Sequence, residues 1–300
     1  MEKKKLGRTN LYVSQLSFGA MEIRGSKTWS GRDVTEKKAE TILNAVLDSG
    51  INFIDTSPDY GMSEDFIGKC ISHRRNEFYL ATKCGCNPTD KDKPHVWNGH
   101  QLEQNIETSL KRMKTDYIDI WQLHNPTCEE VEKGDLIRVM EDVKASGKIR
   151  FISISSTLPH ITTFMEQDVF DSFQIPYSSL QREHEEVISR VAEKGAGTII
   201  RGGVGRGDPL KSGTPNEDLW KNWEKANLDE LLEEGQSRTD FMLRFTISHP
   251  DVHTTIVGTL NPDHLQSNIK AFQKGPLSEK IYLESKSRLE AIGIKPSLGQ

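Results

Sequence analysis

The sequence predicts an α/β fold: a single (β/α)8 TIM-barrel domain over residues 1–300, with an N-terminal hairpin and an additional C-terminal helix. Eight short runs rich in β-branched and aromatic residues alternate with segments of helical periodicity. The runs are apolar on both sides, as parallel strands covered on both faces must be. An open doubly wound sheet is the main competing architecture. In chain order the strands are LSFGA (16–20), NFIDTS (52–57), FYLATK (78–83), YIDIWQLH (117–124), IRFISIS (149–155), SFQIPYS (172–178), GTIIRGG (197–203) and TTIVGT (254–259). Between them, EKKAETILNAVLDSG (36–50), GHQLEQNIETSLKRM (99–113) and HEEVISRVAEKG (184–195) place apolar residues at three- and four-residue spacings. Residues 204–234, rich in Gly, Pro and charge, read as a binding loop or lid after the seventh strand. SEKIYLESKSRLEAIG (278–293) is the additional C-terminal helix.

The composition narrows the function. The chain of 300 residues has 39 Lys plus Arg against 44 Asp plus Glu, a net charge of −5 without a long block of one sign, which argues against sequence-independent nucleic-acid binding. The basic MEKKK start leads into LGRTNLYVS and not into an apolar run, so it is not read as a signal peptide. No window approaches the roughly 18 consecutive apolar residues of a transmembrane helix. Cys70, Cys84, Cys86 and Cys128 form no CxxC pair. A cytoplasmic protein is expected, with neither a membrane nor a nucleic acid as partner. Cys84-Gly-Cys86 has a redox reading and a plainer one, two incidental thiols after a strand.

If the chain closes into a barrel, side chains at the carboxyl ends of its strands converge on one face. Asp55, Lys83 and His124 sit at or near the ends of the second, third and fourth strands, and Tyr60 lies in the loop after the second. Taken singly, the Asp reads as a turn or cap residue, the Tyr and Lys as amphipathic surface, and the His as the end of a strand. Together at successive strand ends they read as a device for delivering a proton to an oxygen. A phenol with a pKa of about 10 is a poor acid at neutral pH, and a neighbouring Lys83 ammonium is expected to lower it. Asp55 would keep Lys83 charged and oriented, and His124 would hydrogen-bond the substrate oxygen or assist the proton's path.

Around these residues the sequence resembles the aldo-keto reductase family, through DTSPDYGMSEDFIG (55–68), LATKCG (80–85) and DYIDIWQLHNP (116–126). The likeness runs from LGRTNLYVSQLSFGAMEI near the start to TTIVGTLNPDHLQSNI near the end. The resemblance implies that Tyr60 is the general acid, that Lys83 and Asp55 tune it, and that His124 orients the carbonyl. It also implies NADPH, with NADH as a second option, bound in extended form across the barrel mouth without a Rossmann domain. The absence of a complete GxGxxG or GxxxxGK[ST] agrees with that. The same motifs imply cofactor contacts at Gly19, Met21 and Asp55, at Ser155 and Ser156 in the place of a Ser-Asn pair, and at Gln174 toward the carboxamide. Arg201 stands where many members carry an aromatic residue, and its planar guanidinium can also stack. RGGVGRG (201–207) reads as a flexible turn or, by the resemblance, as a loop over the cofactor that brings Gly202, Gly203 and Arg206 to it.

At the adenosine end, Thr259 and Asn268 of GTLNPDHLQSN (258–268) fit the family pattern, whereas Gly258 replaces a frequent Lys, His264 a frequent Arg and Ser267 a common Glu. Losing two cations weakens the case for strict NADPH selectivity, because charged pairs to a 2′-phosphate dominate that discrimination. Arg206 or Lys211 would supply charge instead.

The leading reading is an NAD(P)H-dependent reductase whose partner is a small-molecule aldehyde or ketone. The alternative is a non-catalytic barrel that binds the nicotinamide cofactor as a redox sensor or regulatory subunit. A metal-dependent barrel hydrolase has weak support. There is no HxH, Ile188 stands where a second His would follow His184-Glu185, and Pro250 separates His249 from His253, so no metal is expected. Trp29, Trp97 and Asn125 are candidates to line a substrate pocket, with Trp220 and Trp223 in the later loop.

Overall fold

The eight predicted strands form a closed parallel barrel in the computed structural model, which describes residues 1–29, 31–87, 94–205 and 217–297. A two-stranded hairpin comes first: β1 (Lys3–Lys5) runs antiparallel to β2 (Tyr12–Ser14), with Lys3 opposite Ser14 and Lys5 opposite Tyr12. The barrel follows as β3 (Leu16–Gly19), β4 (Phe53–Asp55), β5 (Tyr79–Cys84), β6 (Ile118–His124), β7 (Ile149–Ser155), β8 (Ser172–Pro176), β9 (Gly197–Arg201) and β10 (Thr254–Val257). Each pairs in parallel with its successor, and β10 pairs with both β9 and β3 to close the ring. The open doubly wound alternative is thereby excluded.

Helices cover the outside: α1 (Glu36–Asp48), α2 (Ser63–Cys70), α3 (Gly99–Met113), α4 (Cys128–Lys133), α5 (Leu136–Ala145), α6 (His160–Glu166) and α7 (Glu185–Glu193). After β9 come α8 (Glu217–Lys225), α9 (Arg238–Ser248), α10 (Pro262–Gln273) and α11 (Glu279–Ala291). Local chemistry sets several starts. Thr35, Asn98 and Ser237 accept from backbone N–H groups at the first turns of α1, α3 and α9, and Thr127 with Glu130 forms a reciprocal capping box on α4. None of the helices among the described residues is long and apolar enough to cross a membrane.

The two-residue period of the strands divides the core. Ile54, Leu80, Trp121, Leu123, Ile152, Ile154, Phe173, Ile175 and Ile200 point outward into the main cluster shared with the helices. Phe53, Ala81, Ile120 and Ile199 pack instead with Leu6, Leu11 and Val13, so the hairpin plugs the end of the barrel where the strands begin. Two positions further along, the same inward face carries polar residues at the opposite end.

Segment 204–234, expected as a loop, contains α8 and a 3-10 turn at Leu228–Leu231. Trp220 and Trp223 are buried there, contrary to a pocket-lining role. Their indole N–H groups donate to the Gly205 carbonyl and to Asp229, and Trp223 meets Phe241 edge to face. Their amphipathic spacing served the packing of α8 and not a ligand.

The additional C-terminal helix is held by a fully buried arginine. Arg182 donates to Glu185 at 2.7 Å, to Glu290 at 2.9 Å, and to the carbonyls of Lys286 and Ile294. Burial raises the Glu185 pKa, but hydrogen bonds and charge from Arg182 and Lys286 outweigh it and hold the carboxyl below its ordinary range. Arg182→Met should therefore cost about 3 kcal/mol, since it leaves the buried Glu185 carboxylate with Lys286 as its remaining cation and the carbonyls of Lys286 and Ile294 without their donor. Urea unfolding measures this, and a loss under about 1 kcal/mol would mean that α11 is held by its apolar face alone.

Candidate active site

The inward-facing residues at the carboxyl ends of the strands form a connected polar group. Asp55, the last residue of β4, is buried, and its Oδ2 accepts from Lys83 Nζ at 2.7 Å. Lys83, fully buried on β5, also donates to the Thr56 carbonyl at 2.8 Å. The other oxygen of Asp55 accepts from two amides, Gln122 Nε2 on β6 and Gln174 Nε2 on β8, each at 2.8 Å. Gln174 thus spends a donor on Asp55, a bond the sequence did not suggest. Gln122 was missed altogether. Its signal was available: it stands two residues before His124, on the same face of the strand, and beside Lys83 in the register. Ser153 and Ser172 continue this inward face one layer lower and hydrogen-bond each other.

Tyr60 is placed by the turn after β4, where its N–H donates to the Ser57 carbonyl and its own carbonyl receives the Ser63 N–H. The next residue must be glycine: Gly61 has φ +47°, and a Cβ there would stand 2.4 Å from the Arg24 carbonyl oxygen. The phenol ring lies 5.0 Å from Lys83 Nζ and meets the rings of Trp29 and His124 edge to face. Burial raises the Tyr60 pKa, and the charge and hydrogen bond of Lys83 oppose this without overcoming it. The net direction is up, which corrects the expectation of a lowered value. Burial likewise depresses Lys83, but Asp55 and Tyr60 more than restore it, so the ammonium is held charged.

His124 closes β6 beside Ser155 in register. Its Nδ1 lies 3.1 Å from Asp59 Oδ2, which also accepts from His95 Nε2 at 2.8 Å. Burial first, then the charges of Lys83 and His95, lower the His124 pKa to about 4 against the pull of Asp59. Burial also acts on Asp59, but hydrogen bonds from His124, His95 and Cys86 keep it firmly ionised. A carboxylate only accepts, so the neutral ring carries its proton on Nδ1 and offers Nε2 as an acceptor. Asp59, Cys86 and His95 were not singled out for this site from the sequence, because they come from two different loops with no common spacing. Cys84 and Cys86 point apart: Cys84 donates to the Gln122 carbonyl, and Cys86 lies 3.4 Å from His124 Nδ1. All four cysteines are free thiols.

The expected cofactor positions surround this group. Gly19, at the end of β3, is the register partner of Asp55, and Met21 follows in a 3-10 turn. Ser155 ends β7 opposite Gln174 on β8, and the N–H of the buried Ser156 donates to the Gln174 carbonyl. Arg201 ends β9, followed by Gly202 and by Gly203, where a Cβ would press on Thr255 Oγ1 at 2.6 Å. Arg206 and Lys211 lie outside the described residues. At the end of β10, a Cβ on Gly258 would stand 2.5 Å from the Gly19 carbonyl oxygen, so the backbones meet where a longer side chain is frequent in the family resembled. Thr259 accepts from the Asn261 N–H just before α10, Asn268 is buried on α10, and His264 is exposed on its first turn.

Of the pocket candidates, Trp29 is 46% exposed with its ring against Tyr60, while Trp97 covers Gly85 and meets His95 edge to face. Asn125 sits in the left-handed region at φ +60°, and Ser155 Oγ approaches its amide oxygen at 3.5 Å. Trp29 and Asn125 thus adjoin Tyr60 and Ser155, and Trp97 reaches the group through His95.

Comparison with known proteins gives a consistent result. A sequence model described as "Aldo/keto reductase family" matches residues 15–287. The chain is 30% identical over 297 residues to a protein named "Uncharacterized oxidoreductase YqkF" of Bacillus subtilis (strain 168), covering 93% of this chain and 94% of the relative. It is 25% identical over 309 residues to the "NADH-specific methylglyoxal reductase" of Escherichia coli (strain K12), covering 90% and 93%. The holo form of aldo-keto reductase AKR11C1 from Bacillus halodurans superimposes with a TM-score of 0.83 at 29% identity, covering 96% of both chains.

Gln122 gives this geometry a direct check. Gln122→Leu keeps the volume but removes a hydrogen bond to a buried carboxylate, worth about 1.5–3 kcal/mol. Denaturant unfolding should show that loss, and an unchanged midpoint would mean that Gln174 alone suffices for Asp55.

Proposed function

The chain belongs to the aldo/keto reductase family of oxidoreductases, and from that premise we propose that it reduces an aldehyde or ketone with a nicotinamide cofactor, Tyr60 protonating the carbonyl oxygen. The observation that carries the reading is the buried Asp55–Lys83 pair set under the Tyr60 ring and beside His124. A reduced nicotinamide, when bound, supplies the hydride to the carbonyl carbon. Tyr60 gives its phenolic proton to the oxygen, and the Lys83 ammonium stabilises the phenolate left behind. Asp55, bound by two amides, keeps that ammonium in place and charged. His124 contributes shape, and an acceptor at Nε2 for a hydroxyl of the substrate or product. A complete assembly of this kind favours turnover over the redox-sensor alternative.

The residues present fit such a cofactor. Ser178 Oγ and Ser179 Oγ, in the loop after β8, are buried without a hydrogen-bond partner among the described residues, as are polar atoms that a ligand satisfies. Ser155, Ser156 and Gln174 would hold the nicotinamide end. Gly19, Met21 and Arg201 to Gly203 would line its course, and Thr259 and Asn268 the adenosine end. The crowded Gly258 offers no cation to a 2′-phosphate, which supports use of NADH beside NADPH, and the name of the E. coli relative gives NADH as that protein's cofactor. Four free thiols suit a reducing, cytoplasmic setting.

Tyr60→Phe should bind NADPH like the wild type, followed by protein fluorescence, and lose about 10²-fold or more in turnover on a panel of carbonyls. Wild-type turnover in this variant would sink the mechanism. Cofactor binding by the native chain with no oxidation of NADPH on any carbonyl would favour the sensor. Titration with both cofactors should give only a modest preference for NADPH. A hundredfold preference, about 2.7 kcal/mol, would require cations supplied from elsewhere.

A further inference from the structure

Four side chains beside Tyr60 carry donor atoms of three kinds toward one point. Asp59 comes from the loop after β4, Cys86 and His95 from the segment after β5, and His124 from the end of β6. Their ligand atoms all lie within 4.8 Å of one another. Three of the edges are 2.8 Å from His95 Nε2 to Asp59 Oδ2, 3.1 Å from His124 Nδ1 to the same oxygen, and 3.4 Å from Cys86 Sγ to His124 Nδ1. A tetrahedron with zinc–nitrogen and zinc–oxygen bonds of about 2.0–2.1 Å and a zinc–sulfur bond of about 2.3 Å has edges of about 3.3–3.6 Å. The group therefore needs adjustments of up to about half an ångström on its short edges and up to about 1.2–1.5 Å on its widest.

We propose that Asp59, Cys86, His95 and His124 form a four-coordinate binding site for a borderline-soft divalent cation of the zinc type. The donor set selects the metal. Two imidazoles and a thiolate disfavour calcium and magnesium, which take oxygen ligands, and four protein donors fill the tetrahedron that zinc prefers. One carboxylate and one thiolate balance the charge of the ion. An outer contact of the usual kind is in place: Ser57 Oγ lies 3.5 Å from Cys86 Sγ. Asp59 and Cys86 are buried, while His95 is half-buried and gives a path from solvent.

Binding releases the Cys86 thiol proton to solvent, moves the His124 proton from Nδ1 to Nε2 and moves the His95 proton from Nε2 to Nδ1, with no change of oxidation state, so that in the metal-loaded form His124 Nε2 donates where in the metal-free form it accepts. The site has no sequence signature, because its members lie in separate segments and share no helical spacing.

The test uses the full chain, stripped with a chelator, kept reduced and titrated with Co²⁺ as a spectroscopic stand-in. The expected result is one Co²⁺ per chain, with thiolate-to-cobalt charge-transfer absorption and the intense visible bands of four-coordinate cobalt, both bleached by Zn²⁺. Cys86→Ser should abolish the charge-transfer band. His95→Ala, on a half-exposed loop, should weaken binding about a hundredfold or more, since even outer-shell partners cost 10–100-fold. No charge-transfer band at saturating Co²⁺, or a band and affinity unchanged in both variants, overturns the proposal. Neither readout depends on carbonyl reduction, so a failure of the reductase reading leaves it untouched.

Discussion

The barrel's chemical end depends on the ion pair between Asp55 and Lys83. Two opposite charges sit almost wholly out of water, where each alone would cost several kcal/mol, and Coulomb attraction repays that only when every remaining lone pair and proton is also engaged. Here the remainder is met by Gln122, Gln174 and the Thr56 carbonyl. The pair itself bridges β4 and β5, and its partners come from β6, β8 and the residue after β4, so the pair is satisfied only once these strands have come together around one axis. The site is in this sense a product of the topology. It is also the source of the positive charge beside the Tyr60 phenol.

The same inward face serves opposite purposes at its two ends. Near the strand starts it carries Phe53, Ala81, Ile120 and Ile199, sealed by the hairpin residues Leu6, Leu11 and Val13. Near the strand ends it carries Asp55, Lys83, Gln122 and Gln174. Apolar packing at one end supplies stability that the polar end, with its desolvated charges, does not. A two-residue period running along several strands is enough to encode this division.

That period explains what was legible in the sequence. All eight strands were readable because each is a short apolar run bounded by turns or helices, and Asp55, Lys83 and His124 were readable because they end such runs. Gln122 followed the same rule and was overlooked, as an amide one layer inside a strand attracts less notice than an ionisable residue at its tip. Asp59, Cys86 and His95 were not legible at all, since three-dimensional closure alone brings two unrelated loops together. Trp220 and Trp223 misled because an aromatic residue in a Gly- and Pro-rich stretch suggests a lid, while the stretch holds a helix whose Trp223 packs on Phe241 and whose Trp220 packs on Trp223. The Tyr60 pKa ran opposite to expectation for a related reason: sequence shows the neighbouring charge and hides the desolvation that exceeds it.

The contact between Gly258 and the Gly19 carbonyl limits how this barrel can be engineered. Grafting a lysine at the end of β10 to recruit a phosphate drives its Cβ into another strand's backbone, so the graft has to be paired with a change in the turn after β3. The exposed first turn of α10, where His264 stands, imposes no such coupling. A designer wishing to retune dinucleotide choice would start on that helix and leave the strand end as it is.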